Sequence, residues 1–238
     1  MAGRKQPSRS IKERLNAAQL ALNNTLAVTE IQEAVGKYGY NRTKVEGGQA
    51  LYKEALAAVE VRDEAAGAQQ AATDKANAAR TSAREVYQAL AKVARAIFAK
   101  DRAKLTSLGL TGRMPAAAGE FLGTAYALFD NAVRVADVRT ALSEYGYDEA
   151  RLQEERAKME AYDLANQAQE AALGAAQQAT RDQDAALKAL DEWVAQFLKI
   201  ARVALRGKPE LLEQLGITVR STPSGRRRKA KTSPAAPS

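Results

Sequence analysis

Two residue types that carry much of enzyme chemistry are missing from this chain: it has no cysteine and no histidine. Disulfides, thiolate metal sites and thiol redox chemistry are therefore outside its repertoire. So is the side chain that most often serves as general base and transition-metal ligand near neutral pH. What remains are carboxylates, hydroxyls and cations. Carboxylates pair at Glu154/Glu155, Asp182/Asp184 and Asp191/Glu192. Asp182 and Asp184 stand two apart, and residues so spaced on a helix do not face the same way. The calcium-loop spacing is also absent. The adjacent pairs read as solvated helix faces. The serines have no histidine partner to activate them, and no glycine-rich phosphate loop is present. We expect no metal, no cofactor and no enzymatic activity.

The cations are better placed. Lys92 and Arg95, and again Lys199 and Arg202, stand three apart beside an apolar stripe. Their plain role is to cover the core with their stems while their charges reach water. Their sharper role is a matching set of anion contacts. The segment 221–238 holds Arg226, Arg227, Arg228, Lys229 and Lys231 with no acid, among Pro, Ser and Gly that cannot build a core. Such a run is a polyanion-binding or nuclear-localisation pattern, or simply a solubilising terminus. With no aromatic interleaved for stacking, any nucleic-acid contact there would follow phosphate and salt, not base sequence.

Charge sets the ends apart from the body. The formal net charge is +8, yet residues 1–14 and 220–238 together carry +10, leaving the rest at −2. No stretch of about 20 apolar residues reads as a membrane span. No apolar run follows the basic start "MAGRKQPSRS", so no secretory signal is expected. A cytoplasmic protein is the expectation, with a nuclear or nucleoid location open through the basic tail.

The elements that position these residues are helical. Alanine is abundant, aromatics make up only 5%, and Glu, Lys, Gln, Arg and Leu supply most of the rest. Sliding the chain against itself until Leu15 falls on Leu122 gives a gapless register. Asn24 then falls on Asn131, Tyr38-Gly39-Tyr40 on Tyr145-Gly146-Tyr147, Lys92 and Arg95 on Lys199 and Arg202, and "SLGLTGR" on "QLGITVR". We expect a tandem duplication of a helical unit of about 107 residues, at 10–113 and 117–220, a domain-sized repeat and not a solenoid module. Residues 1–9 and 221–238 flank it as basic, disordered ends.

The tyrosine pairs read as helix-to-helix corners. Gly39 and Gly146 supply the left-handed residue past a short helix. Tyr40 and Tyr147 then close on Val35 and Leu142, and Asn41 and Asp148 cap the next helix. A ligand site made of paired tyrosines is the lesser alternative. The same grammar recurs as Leu105–Gly109–Leu110 and Leu212–Gly216–Ile217. Asp101, Pro209 and a Ser10–Glu13 capping box mark further starts, and Pro115 is expected to open the helix that follows it.

Between corner and end lie 41–100 and 148–206, which contain no proline. Each could fold back at Gly67 or Gly174, giving two tandem four-helix bundles. The flanks there are Ala and Gln, not turn residues, so two unbroken helices of roughly 60 residues, about 90 Å each, are favoured. Stripes of small residues (Ala58, Ala65, Ala68, Ala72, Ala79 and Ala83; Ala161, Ala165, Ala168, Ala172, Ala175 and Ala179) would pair the two helices antiparallel, closest at Gly67 and Gly174. The large residues near their C-terminal ends would pack on 10–37 and 117–145, exchanged between the copies. The expected function is a non-enzymatic scaffold or protein-interaction protein, bound to a protein partner or to itself. The alternative is a protein associated nonspecifically with DNA or RNA through its basic tails.

Overall fold

A computed structural model describes residues 10–218. Among the described residues helix is the only regular structure, so the chain is all-α. In order, the helices are α1 (Ile11–Ala27), α2 (Thr29–Gly36), α3 (Arg42–Ile97), α4 (Arg102–Ser107), α5 (Ala118–Arg134), α6 (Ala136–Ser143), α7 (Glu149–Ala204) and α8 (Pro209–Gln214). The offset that carries Ile11 to Ala118 also carries both bounds of each of α1 to α4 onto those of α5 to α8. No helix among the described residues is long and apolar enough to cross a membrane.

The corners are built from backbone bonds that the sequence names. Gly39 has φ +83° and Gly146 φ +78°. The amide of Tyr40 donates to the Val35 carbonyl at 3.1 Å, and that of Gly39 to the Gly36 carbonyl at 3.0 Å. Tyr147 and Gly146 donate to Leu142 and Ser143 in the same pattern, which satisfies carbonyls a helix end leaves orphaned. Leu110 likewise reaches Leu105, and Ile217 reaches Leu212. Beyond each tyrosine corner, Asn41 Oδ1 accepts from the Lys44 amide at 2.9 Å and Asp148 Oδ1 from the Arg151 amide at 2.8 Å. The Ser10–Glu13 capping box is complete, Asp101 caps α4, and Pro209 takes the first turn of α8.

α3 and α7 are each 56 residues long and do not break at Gly67 or Gly174. The folded-back alternative is therefore not adopted. Four details add to the sequence reading or differ from it. The short helical segments divide at Val28 and Val135, whose extended backbones (ψ 106° at both) interrupt the spiral; a β-branched side chain is at ease there. Pro115 does not open α5, which starts at Ala118 with no side-chain cap. The glycines Gly67 and Gly174 meet no close neighbour: a Cβ on either would find nothing within 4 Å, so neither marks a close approach. The close approach lies at Gly48, where a Cβ would come within 2.6 Å of the Trp193 ring and 2.8 Å of Leu22. The small-residue stripe is buried only in part: Ala83, Ala165 and Ala179 of it are buried, Ala68, Ala161, Ala168 and Ala175 are exposed, and Ala76 and Gln183, outside it, are buried.

Two compact units result, and α3 and α7 each give one stretch to each unit. The first unit comprises residues up to Ala57 and from Asp184 onward. Its core gathers Leu22, Ile31 and Val35 from α1 and α2, Tyr40 and Val45 at the start of α3, Phe197, Ala201 and Leu205 from α7, and Leu211, Leu212 and Ile217 at the end. The second unit is Ala58–Gln183. Its core joins Tyr87, Leu90 and Phe98 to Phe121, Leu128, Phe129, Val138, Leu142, Leu152, Met159 and Tyr162. Burying a side chain of this size contributes roughly 1.5–3 kcal/mol. One hydrogen bond recurs in both units: Asn24 Nδ2 donates to the Gln214 carbonyl at 2.6 Å, and Asn131 Nδ2 donates to the Ser107 carbonyl at 2.7 Å. Each core thus takes one pair of short helices from one half of the chain and a long-helix end from the other half.

Candidate functional site

The conspicuous tyrosine pairs divide their labour. Tyr40 and Tyr147 are buried, while Tyr38 and Tyr145 are 50% and 61% exposed. Tyr40 packs against Trp193 and Phe197, with ring centroids at 5.7 and 5.2 Å. A cation from the first turn of the next helix lies over each buried ring: Lys44 Nζ is 4.2 Å from the Tyr40 centroid, and the Arg151 guanidinium is 3.9 Å from that of Tyr147. Desolvation pushes both hydroxyls above the ordinary tyrosine range. The rings serve the corner, with one tyrosine of each pair inside and the other out in solvent.

The carboxylates also resolve into structural roles, with one correction. Glu155 is not on a solvated face: it is 7% exposed, accepts from Arg151 Nε at 2.9 Å, and keeps its second oxygen buried without a partner. In the repeat register it is the counterpart of Gly48, at the same inward position of the later long helix. Asp191 pairs with Arg14, and Asp182 accepts from Gln178 one turn earlier. Lys104 bonds Asp137 at 2.8 Å, and that bond raises the lysine and lowers the carboxyl from their ordinary ranges. Among the described residues no group of three His, Cys, Asp or Glu side chains is arranged to hold a metal.

The predicted cations lead to the more distinctive feature, a cleft in the second unit. Lys92 and Arg95, one turn apart near the end of α3, line a cavity of about 310 Å³ with Tyr87, Gln88, Ala91, Gly112, Arg113 and Met114. Its far wall is the connection after α4, and the wall is tied in place. Arg95 donates to the Leu110 carbonyl at 3.2–3.3 Å and to the Gly112 carbonyl at 3.5 Å. Gln88 Nε2 reaches Met114 Sδ at 3.9 Å. Upstream, Arg84 and Arg80 hold the carbonyls of Pro115 and Ala116 at 3.0 and 3.3 Å. Among the described residues Lys92, Arg95 and Arg113 form no ion pair, and no carboxylate lines the cleft. Burial raises the Tyr87 hydroxyl and nearby Arg95 partly lowers it again. A second, smaller cleft of about 200 Å³ lies between Asn77, Arg80, Tyr162, Asn166 and Gln169.

Lys199 and Arg202 are exposed on α7 in the first unit and do not line that cleft. Arg226, Arg227, Arg228, Lys229 and Lys231 lie outside the described residues. Sequence reasoning missed Arg113, Gln88 and Met114, although Arg113 closes the segment that recurs as "QLGITVR" with Arg220. It also missed Arg80 and Arg84, whose i,i+4 spacing was the available signal.

No protein-family model matches the chain, and no curated protein or solved structure is significantly similar to it. The functional reading therefore rests on the sequence and the geometry.

Proposed function

We propose that the chain is a non-enzymatic helical scaffold, made by tandem duplication of one helical unit at 10–113 and 117–220. In this reading α3 and α7 pair antiparallel as an elongated body with a small helical cluster at each end. The clusters hold protein partners, or copies of the chain, at a fixed separation inside the cell. The observation that carries the reading is the constant offset between the bounds of every helix and its counterpart. Two equivalent ends on long helices are what a spacer requires, and a chain with no cysteine or histidine offers little reactive chemistry beside them. Small-angle scattering of the full chain tests the shape: an elongated profile is expected, and a compact globular one rejects the arrangement.

A second reading has its own support in the five basic residues between 226 and 231. Here the tail tethers the protein to nucleic acid through phosphate contacts. A gel shift at low salt of about 50 mM, lost on deleting 221–238, is the expected result. No shift by the intact chain at that salt removes this reading.

A further inference from the structure

The geometry points to a binding site for a phosphate group, free or as a monoester, in the cleft lined by Lys92, Arg95 and Arg113. Three observations converge. First, the site gathers three cations, and no carboxylate lines it to neutralise them. Uncompensated cations facing one cavity favour a multiply charged anion. Gln88 adds an amide donor, and Tyr87 adds a hydroxyl group. Second, the wall is held before any ligand arrives. Arg95 fastens the Leu110 and Gly112 carbonyls, so the segment bearing Arg113 is fixed against α3. A site already in place avoids part of the ordering cost of binding. Third, the cations recur and their uncharged neighbours do not. In the repeat register Lys92, Arg95 and Arg113 return as Lys199, Arg202 and Arg220, whereas Tyr87, Gln88, Gly112 and Met114 become Val194, Ala195, Val219 and Ser221.

The volume of about 310 Å³ lies at the small end of ligand cavities. It suits a phosphate with a short attached group. Phosphate is preferred to a carboxylate because its several acceptor oxygens can engage separate donors. The site is independent of the scaffold reading and stands without it.

The three methionines supply the probe, since Met114 lines the cleft while Met159 is fully buried in the core of the same unit. The full chain is labelled on its methionine methyl groups, and a Met114→Leu variant assigns the Met114 signal. The chain is then titrated by NMR with inorganic phosphate, with phosphoserine, and with sodium chloride at matched ionic strength. The Met114 signal should shift saturably with phosphate or phosphoserine, with a dissociation constant of about 1 mM or below, while Met159 stays still. The tighter of the two ligands says whether a free anion or a phosphate monoester is the natural occupant. The exposed Lys92→Gln/Arg113→Gln pair should weaken the affinity by about tenfold or more. An unmoved Met159 signal in that variant shows the unit still folded. Chloride moving Met114 equally, or the double variant keeping the same saturable shift, overturns the proposal.

Discussion

At the scale of single residues, identical types do opposite work. Tyr38 and Tyr40 flank one glycine, yet only Tyr40 is inside, with its hydroxyl buried and unpartnered. Removing that hydroxyl removes a desolvated polar group without breaking a bond. Tyr40→Phe should therefore leave the unfolding free energy unchanged or raise it, within about 1 kcal/mol. Tyr40→Ala should cost about 3–5 kcal/mol through the cavity beside Trp193 and Phe197, and Tyr38→Ala less than about 0.5 kcal/mol. Urea melts of the three variants check this order. The glycines divide in the same way. Gly48→Ala forces a methyl into Trp193 and Leu22 and should destabilise by about 1–3 kcal/mol despite the better helix former. Gly67→Ala and Gly174→Ala meet open space and should each stabilise by about 0.5–1 kcal/mol.

At the scale of elements, much of the fold was legible and the reason is local. A helix end is set by a few adjacent residues, so Gly39, Gly109, Gly146 and Gly216 could be assigned with the residues they bring together. The absence of Pro, Asn or Ser around Gly67 and Gly174 likewise announced continuous helices. What was illegible depended on distant partners. With alanine on every side of α3 and α7, several stripes look alike, and only packing decides that Ala83, Ala165 and Ala179 of the expected stripe are covered together with Ala76, while Ala68, Ala161, Ala168 and Ala175 are not. The breaks at Val28 and Val135 carry no proline or glycine to mark them. Half of the cleft was visible as Lys92 and Arg95; its other half comes from a connection whose course depends on arginine-to-carbonyl ties. Those ties yield an element-scale expectation. Arg84→Ala breaks the bond to Pro115 and uncovers the Phe121 ring, which its guanidinium overlies at 5.3 Å. It should cost about 1–3 kcal/mol and raise hydrogen exchange at 111–117 above that of α4.

At the scale of the whole molecule, the decisive fact is that each core needs both halves of the sequence. Tyr87 and Phe98 have Phe121 and Phe129 as partners, and Leu22 and Ile31 have Phe197 and Leu205. Two chains, 1–114 and 115–238, made together should copurify through one tag and give the helical spectrum of the intact protein. Either chain made alone should melt without a cooperative transition or self-associate, as circular dichroism and light scattering would report. The Asn24–Gln214 bond spans 190 residues. At about 5–20 residues per second, the ribosome takes roughly 10–40 s to deliver the second group after the first. During synthesis the apolar faces of α1 and α2 therefore emerge long before Phe197 and Leu205 exist to cover them. A nascent chain of this kind must wait, shielded or at risk of clumping with its neighbours, until the end of α7 has been made.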